Sequence, residues 1–483
     1  MPKLEEDLLK AIDEGDTIKV SECLKQGPNI SDLVGSGHSI LGRAAQMGRI
    51  EIIRELLQYN ENTSKNKKCN VNSADCYART ALHYAAEQGK MEIVKLLLKI
   101  GSLIDVSDSD GVIPLHLAVK GGHEECVETL VQTGSQVNRK TREKLSALHI
   151  ASSRGYANIV KILLKHGAKI EALDASERTP LLVAVIRGNH EVGQVLISQG
   201  AKVNIEEIHG YTPLAEAIWQ NDVILVKMLL QAGAKLTKSH YLLHHCVISR
   251  KFELVNLLLR NGCLVNIRDE SGNAPLHIAV SAAEFPIVEL LINYGAYVNF
   301  PNLIQGTTPL HEAVNGIPDW DHVKFTNILR LLIQHNCRLD AESVTTGDTP
   351  LYRAIMADKF NIASSLIRHG ADANRGHVFS CNIDNLQVAQ RKGNFILVRL
   401  LVYSGFDVRN THWLEIFPSN VPYNYSSDSI KGWLIYVKKN PLRLTDLCRK
   451  TVRQKLGNRV YPVVRTLLIP EKIKRFLLLE EID

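Results

Sequence analysis

Three short stretches of the sequence contain residue types that serve as nucleophiles or metal ligands in enzymes. His311-Glu312 begins the H-E-x-x-H pattern of zinc proteases, but Asn315 stands where the second imidazole is required. Gly37-His38-Ser39 is similar to the start of a nucleophile elbow, but Leu41 replaces the glycine of that turn. His244-His245-Cys246 has the chemistry of metal ligands, yet it lies on a repeated motif that explains it better. We therefore predict no catalytic residue, no metal site and no cofactor.

The net charge of +6 is concentrated in one segment of the 483-residue chain. Residues 438–483 contain 12 basic and 5 acidic residues, whereas the preceding residues contain 45 and 46. A body that binds nucleic acid is expected to carry a positive field of its own. We therefore predict no nucleic-acid partner, and we interpret the basic residues near the end as solvated helix faces. No apolar run approaches 18 residues, so no membrane partner is predicted.

The cysteines and the first residues indicate a reducing compartment. Nine cysteines are scattered through the chain, and no two form a C-x-x-C pair. Structural disulfides are therefore not expected. The opening residues MPKLEEDLLKAIDEGD are acidic and amphipathic, unlike a signal peptide. We expect a cytoplasmic location, with the nucleus as a second compartment.

A repeat of 33 residues organises most of the chain. Five successive segments share one order of small, apolar and polar residues, with phase positions Thr80, Ile113, Ser146, Thr179 and Thr212. The pattern continues with looser spacing at Tyr241, Ala274, Thr308, Thr349 and Asp384, and it extends back to Ser39 and Glu6. A fixed period of this length indicates a stack of about twelve similar units.

Each repeat is predicted to form two short helices. Thr or Ser before Pro suits an N-cap and a first helical position, and pairs such as Leu115 and Ala118 share one helix face. An Ile-Val or Leu-Val pair marks the second helix, and a glycine such as Gly167 suits the left-handed residue after its end. Because stacking covers the apolar faces, we predict an all-α solenoid. The histidine at the fourth motif position, as in His83, is expected to hydrogen-bond the backbone of a neighbouring turn.

The motif resembles the ankyrin repeat, whose T-P-L-H-x-A signature stands as TPLHEA from Thr308. The resemblance covers residues 1–408 and implies a solenoid of about 12 helix-turn-helix units. In that family the hairpin tips and the concave helix face bind partners. The tips here are chemically mixed, as in Asp108–Asp110, Lys140–Glu143 and Glu206–Glu207. This mixture favours a protein partner over a polyanion.

Two departures from the period lengthen individual repeats. About 8 additional residues lie around Asn60–Lys68, and about 7 lie between Ala313 and Ile328. The first stretch is polar and is predicted to be a mobile loop. The second contains Trp320 and could be a recognition finger, although we favour a tolerated surface insertion.

Residues 409–440 break the repeat and are predicted to be a connector. The segment mixes Pro, Asn and Ser with Trp413, Phe417 and Trp433. Large aromatic side chains are costly to expose to water. We therefore expect the connector to pack against the last repeats rather than to extend into solvent.

An amphipathic helix is predicted after the connector, with Asn440 and Pro441 as its cap and first-turn residue. Its apolar stripe consists of Leu444, Leu447, Cys448 and Val452. Its other faces carry the basic residues Arg449, Lys450, Arg453 and Lys455.

This tail resembles a SOCS box, a module in which a Leu-x-x-x-Cys helix docks in a groove of elongin C. The resemblance implies an elongin-binding site at Leu444, Leu447, Cys448 and Val452. It also implies a cullin-proximal site at Ile469, Pro470 and Ile473. The family's L-P-x-P element favours cullin-5, but here Leu468 replaces the first proline, and Arg443 replaces the small residue often found before the leading leucine.

Together the resemblances imply an ankyrin-repeat array at 1–408, a connector at 409–440 and a small helical SOCS box at 441–483. They imply a substrate-recognition subunit of a cullin-RING E3 ubiquitin ligase. Its partners would be elongin B, elongin C, cullin-5 with its RING protein, and an unidentified target protein. Such a chain is not an enzyme, because no segment is left to supply a catalytic domain.

Three alternatives remain open at this point. IPEKIKRFLLL, which ends at Leu479, also resembles the F-box-like tail of some viral ankyrin proteins, which would recruit a different cullin. Leu444 and Cys448 could instead pack on the last repeat as a capping helix, which a solenoid needs. The chain could also be a plain ankyrin scaffold without a ubiquitin role. We prefer the SOCS box because of the Leu-x-x-x-Cys helix upstream.

Overall fold

The computed structural model describes residues 3–28, 30, 39–62, 70–236, 241–376, 383–414, 430–440 and 443–482. It divides into two compact units, Met1–Leu236 and Thr237–Asp483. Within the described ranges the regular structure is helical and there is no strand, which confirms the all-α fold class.

The first unit contains fourteen α-helices among its described residues. They are α1 (Lys3–Glu14), α2 (Thr17–Lys25), α3 (Ile40–Gln46), α4 (Ile50–Asn62), α5 (Ala81–Glu87), α6 (Met91–Lys99), α7 (Pro114–Gly121), α8 (Glu124–Gln132), α9 (Ala147–Arg154), α10 (Ala157–Lys165), α11 (Pro180–Ile186), α12 (His190–Ser198), α13 (Pro213–Trp219) and α14 (Val223–Gln231).

The second unit continues the same alternation and then adds the tail. Its helices are α15 (Leu242–Ile248), α16 (Phe252–Arg260), α17 (Pro275–Ser281), α18 (Phe285–Asn293), α19 (Pro309–Gly316), α20 (His322–Gln334), α21 (Pro350–Met356), α22 (Phe360–His369), α23 (Asn385–Arg391), α24 (Phe395–Ser404), α25 (Ile430–Lys439), α26 (Leu444–Leu456), α27 (Val460–Thr466) and α28 (Glu471–Leu477).

Helices α1 to α24 form twelve pairs within the described ranges, as the repeat predicts. Inside each unit, the first helix of a pair packs on the first helix of the next pair, and second helices pack on second helices. The weak first repeat is real, since α1 contacts both α2 and α3. The buried apolar residues therefore form a core that runs from pair to pair within each unit.

The local chemistry of the repeat explains where its helices begin and end. The Thr179 hydroxyl accepts a hydrogen bond from the backbone N–H of Leu182, and Pro180 occupies the first position of α11. Gly167, which follows α10, has a φ of +82°. That left-handed conformation costs an L-residue about 1 kcal/mol and costs glycine little.

The motif histidines connect successive repeats, as predicted. In His83 the Nδ1 atom accepts the backbone N–H of Thr80, so Nε2 carries the proton and donates to the Val112 carbonyl at 3.2 Å. His116, His149, His244, His277 and His311 make the same contact to the following hairpin at 3.0–3.2 Å. Burial lowers the pKa of all six rings, in His311 to about 4, so they serve here as neutral structural links between repeats.

Asparagines form a second link between hairpins that the sequence analysis missed. The Asn138 amide donates to the Gly167 carbonyl at 2.9 Å and accepts the Lys169 backbone N–H at 2.7 Å. Asn204, Asn266 and Asn374 make the same pair of bonds, each to the hairpin of the following repeat. Each of these four asparagines thereby fixes its own hairpin to the following one by side-chain to backbone hydrogen bonds.

The second insertion forms ordered structure. Asp319–Asp321 is a short 3-10 helix that leads into the 13-residue α20. The Asp319 carboxylate accepts the backbone N–H groups of Asn361 and Ile362 at 3.2 and 3.0 Å, which fixes the turn to the start of α22. Trp320 is 79% exposed on this turn. The first insertion falls largely on residues 63–69, outside the described residues.

Candidate functional site

The connector packs against the last repeats through its aromatic residues. The Trp413 indole donates to the Asp384 carboxylate at 2.9 Å. Trp433 on α25 meets the edge of Phe395 at 5.5 Å between ring centroids and lies 6.2 Å from Tyr403. The predicted docking is confirmed for these two residues. Phe417 lies outside the described residues.

The predicted start of the next helix is wrong by three residues. Asn440 follows α25, and its amide donates to the Tyr436 carbonyl at 2.9 Å. Helix α26 begins at Leu444 with Arg443 in the N-cap position, while Pro441 lies outside the described residues. An arginine side chain cannot accept the N–H groups of a first turn, so this helix start has no side-chain cap.

Helix α26 turns two arginines toward the repeats, which contradicts the prediction that its basic residues are solvated. Arg449 and Arg453 are each only 4% exposed. They lie one turn apart on the face that packs against α24. A composition argument assigns charge to the surface, but arginine can be buried when its charge and its stem find partners. Here the matching is partial, since the Nε atoms of both arginines and Nη1 of Arg449 make no hydrogen bond within the described residues.

Arg453 joins the tail to the repeats through backbone carbonyls. Its guanidinium donates to the Leu477 carbonyl at 2.9 Å and to the Ile367 carbonyl at the end of α22. Burial, together with the charge of Arg449, lowers the pKa of Arg453 to about 10. The group still carries its charge at neutral pH, so both hydrogen bonds are charge-assisted.

Arg449 organises the small tail around itself. It donates to the Asp446 carboxylate at 2.8 Å and lies 3.6 Å from Glu481. Its guanidinium lies 3.7 Å from the centre of the Phe476 ring and 5.3 Å from that of Tyr403. Ion pairs and cation–π contacts of this kind offset the cost of burying the charge.

A close glycine approach completes the junction between the tail and the repeats. Gly370 has a φ of +107°, and a Cβ atom there would lie 2.2 Å from the Gly457 carbonyl oxygen. His369 stacks on Tyr461 with 4.1 Å between ring centroids, and the Arg330 guanidinium donates to the Tyr461 hydroxyl at 2.7 Å. The junction therefore uses specific contacts from α20, α22 and α24.

The opposite face of α26 is apolar and open to solvent. Leu444 is 76% exposed, Leu447 is 44% exposed, and Cys448 is also exposed. Val452 is half-buried. The alternative in which Leu444 and Cys448 pack on the last repeat is wrong, because the two arginines occupy that place. Three of the four predicted elongin anchors are thus available to a partner.

Two of the predicted cullin-proximal residues, Ile469 and Pro470, lie on the turn between α27 and α28, and the third, Ile473, lies in the first turn of α28. Pro470 is exposed and precedes Glu471, the first residue of α28, while Ile469 is half-buried. Ile473 is 45% exposed, and the neighbouring Leu468 is fully exposed. Below this turn, Val460, Val464 and Leu478 form a small buried cluster. The turn is therefore an exposed apolar segment held on a small core.

The described residues give no sign of a membrane span or of a metal centre. None of their helices has both the length and the apolar character needed to cross a bilayer. No group of three or more His, Cys, Asp or Glu side chains among them is arranged to hold a metal ion. The exposed face of α26 is the candidate site that the geometry offers.

Comparison with protein families assigns both parts of the chain. The family model described as ankyrin repeats (3 copies) matches residues 8–110, 100–174, 148–240 and 243–325, and an ankyrin repeat model matches 346–377. The SOCS box model matches residues 440–478, which include α26 and the turn before α28. This match supports the SOCS box interpretation of the tail over the F-box-like one.

Several curated proteins are similar to part of this chain. Human ankyrin repeat and SOCS box protein 11 is 32% identical over 173 residues, which are 35% of this chain and 49% of that protein. Rabbit (Oryctolagus cuniculus) ankyrin repeat and SOCS box protein 5 is 32% identical over 172 residues, 35% of this chain and 48% of the relative. Putative ankyrin repeat protein FPV232 of Fowlpox virus (strain NVSL) is 41% identical over 133 residues, 27% and 26% of the two chains. The chain thus spans about half the length of the first two relatives.

Proposed function

We propose that this chain, which belongs to the ankyrin-repeat proteins and carries a SOCS box, is the substrate-recognition subunit of a cullin-RING ubiquitin ligase. In this proposal the repeats bind the target protein and α26 binds elongin C, which brings elongin B. The segment around Ile469, Pro470 and Ile473 contacts the cullin, which we take to be cullin-5 with its RING partner. The expected location is the cytoplasm, with the nucleus as a second compartment.

The observation that carries the proposal is the orientation of α26. An amphipathic helix whose only partner is the repeat array would bury its leucines against the repeats and expose its arginines. Here Arg449 and Arg453 are buried instead, and Leu444 and Leu447 face water. Exposing two leucines and a cysteine on one helix face has a free-energy cost of several kcal/mol. A partner that covers this face would recover that cost.

The chemistry of such a subunit is proximity. The chain would hold a target while the cullin holds the ubiquitin-loaded enzyme, so a target lysine reaches a high effective concentration near the reactive thioester. The chain itself would break no bond. The buried arginine junction suits this role, because a tail fixed to the last repeats restricts the distances over which a bound target can move.

Co-elution with purified elongin B and elongin C tests the proposal. We expect the wild-type chain to form a stable complex on size-exclusion chromatography and the double variant Leu444→Ala with Cys448→Ala to lose it. Lys95→Ala with Lys161→Ala is the matched control, because both residues are exposed on helices of the first unit, α6 and α10, outside the tail. Equal retention of elongins by the double variant and the wild type would refute the site.

The cullin contact has a separate test at the missing proline. Leu467 has an extended backbone with ψ of 140°, which suits a residue that precedes proline. Leu468→Pro should therefore be tolerated and should strengthen binding of the elongin complex to cullin-5. Leu468→Ala should also fold but should not strengthen this binding. If Leu468→Pro leaves cullin-5 binding unchanged, the turn is not the cullin contact.

A plain ankyrin scaffold without a ubiquitin role is the alternative. It predicts no complex with elongins at micromolar concentrations in the same chromatography. It also gives no reason for an exposed leucine face on a helix that is otherwise firmly attached.

A further inference from the structure

The first unit contains a groove of about 600 Å³ built by three successive repeats. Its floor is apolar and is formed by residues of the first helices, among them Ile150, Val183 and Ile186. Its walls are the hairpin tips on one side and the ends of α7, α9 and α11 on the other. The groove is therefore a concave surface with an apolar centre and polar edges, the usual character of a binding site.

The edges of the groove carry four exposed basic side chains. Lys120 is at the end of α7, Arg154 at the end of α9 and Arg187 directly after α11, while Arg142 is on the facing hairpin tip. None of the four makes an ion pair within the described part of the chain. Two acidic residues, Asp110 and Glu143, also line the groove, so the exposed charge there is net positive.

The other charged residues of the groove are already matched inside the protein. Arg178 pairs with the buried Asp174 at 2.9 Å, and Arg79 pairs with Asp108 at 3.1 Å and with Glu87 at 3.4 Å. These arginines close hairpins and are not free to bind a ligand. The positive character available to a partner therefore comes from the four exposed basic side chains.

The basic edge is limited to these three repeats. Arg154 and Arg187 occupy the same repeat position, which is Gln88 and Gly121 in the two preceding repeats and Gln220, whose amide donates to Glu216 at 2.7 Å, in the following one. Lys120 lies one residue earlier in its repeat, at the position of Glu87 in the repeat before. Helices of successive repeats are separated by about 8 to 10 Å. Lys120 and Arg187 are therefore about 16 to 20 Å apart, the length of five or six residues in an extended strand.

We propose that this groove binds an acidic segment of about six residues, in extended conformation, from a protein partner. The carboxylates of the segment would pair with Lys120, Arg142, Arg154 and Arg187, and one apolar side chain would rest on the floor near Ile150. That this partner is the ubiquitination target rests on the proposed function. Arg–carboxylate pairs are directional, so the groove would select glutamate- or aspartate-rich sequences with an apolar residue among them.

A protein segment fits this groove better than a nucleic acid. The floor contains aliphatic side chains and no Phe, Tyr or Trp ring on which a base could stack, and single-stranded nucleic-acid sites depend on such stacking. His116 and His149 also line the groove, but burial lowers the pKa of both, and their Nε2 atoms bind backbone carbonyls. They add no positive charge for a phosphate backbone.

The test selects ligands from a phage-displayed library of random nine-residue peptides with the intact chain. We expect the selected peptides to be strongly acidic and to contain a leucine, isoleucine or valine. The affinity of each selected peptide is then measured by fluorescence polarisation for the wild type and for the double variant Arg154→Glu with Arg187→Glu. We expect the double variant to bind about tenfold more weakly or worse. Lys95→Glu with Lys161→Glu, at two exposed lysines of α6 and α10, is the control of equal charge and should bind like the wild type.

Several results would overturn the inference. Selected peptides that are neutral or basic, an absence of selected peptides, or equal affinity for the Arg154 and Arg187 double variant would each do so. A nine-nucleotide RNA that displaces the peptide at equal concentration would reassign the groove to nucleic acid. Elongin co-elution is measured on the same protein samples. A wild-type chain that binds the selected peptides but not the elongins would refute only the proposed function. A wild-type chain that binds the elongins but no acidic peptide would refute only the groove.

Discussion

Replacing Arg453 with alanine should detach the tail from the repeats without unfolding them. The substitution removes two charge-assisted hydrogen bonds, to the Ile367 and Leu477 carbonyls, each worth about 1.5–3 kcal/mol. It also removes the cost of burying a guanidinium that has no carboxylate on it, several kcal/mol in the opposite direction. The space left by the buried stem adds a loss of about 2–3 kcal/mol. These losses of about 5–9 kcal/mol, less several kcal/mol of desolvation, leave a net loss of about 2–4 kcal/mol in the free energy of tail opening.

Hydrogen exchange measured by mass spectrometry reports this opening segment by segment. A loss of about 2–4 kcal/mol corresponds to exchange that is roughly 30- to 700-fold faster in residues 444–482. Amides of α5 to α14 in the first unit should keep their wild-type rates. Lys455→Ala is the matched control, because Lys455 is exposed on the same helix, and it should change neither region.

A second variant separates the hydrogen bonds from the volume of the side chain. Arg453→Met keeps an unbranched stem of similar size and removes only the donors, so its effect should lie between those of the wild type and Arg453→Ala. Exchange of residues 444–482 within about twofold of the wild type in Arg453→Ala would refute the reasoning that the buried arginine holds the tail.

Three further expectations concern the stability of the repeats. Because burial lowers the pKa of His311 to about 4, the unfolded state binds more protons than the folded state between pH 6.5 and 4. The contribution of His311 to the free energy of unfolding is therefore complete above pH 6.5 and is smaller by about 2 kcal/mol at pH 5. Urea midpoints of the wild type and of His311→Gln, each measured at both pH values, give this difference. Phe325→Ala should cost about 3–5 kcal/mol, since the ring is fully buried, whereas Trp320→Ala should leave the urea midpoint unchanged. Gly370→Ala should accelerate exchange in residues 444–482, while Gly167→Ala, where a Cβ meets nothing within 4 Å, should cost only about 1 kcal/mol in the first unit.

The repeat fold was predictable because the same residue types occur at the same positions in every repeat. The cap, the proline, the small alanine and the terminal glycine recur with one period, so an error at one position is corrected by the others. The role of the motif histidines followed in the same way, since a ring that recurs with the repeat must serve the repeat. The weak first pair, α1 and α2, was found from this periodicity alone.

The junction of the tail was not predictable, because it depends on contacts between distant segments. The spacing of Leu444, Leu447 and Cys448 correctly predicts one helix face, but periodicity does not say which face a neighbour covers. Arg449 and Arg453 are buried only because α22 offers a carbonyl end and Phe476 offers a ring. Neither partner is visible in the sequence around the arginines, so the usual expectation that arginine is solvated was wrong.

The groove was also beyond the sequence analysis, for a related reason. Lys120, Arg154 and Arg187 lie 33 or 34 residues apart, and each is unremarkable in its own repeat. Stacking brings them to one edge, and the internal pairing of Arg79 and Arg178 decides which charges remain available. The mixed charge of the hairpin tips suggested only a protein partner in general.

Site-specific photocrosslinking tests the central claim most directly. Leu447→p-benzoylphenylalanine places a reactive ketone on the exposed face of α26, and Lys95→p-benzoylphenylalanine places it on the exposed side of α6 in the first unit. After irradiation with purified elongin B and elongin C, we expect a covalent product with elongin C from position 447 and none from position 95. Equal crosslinking from both positions, or a product only from position 95, would contradict the assignment of this face.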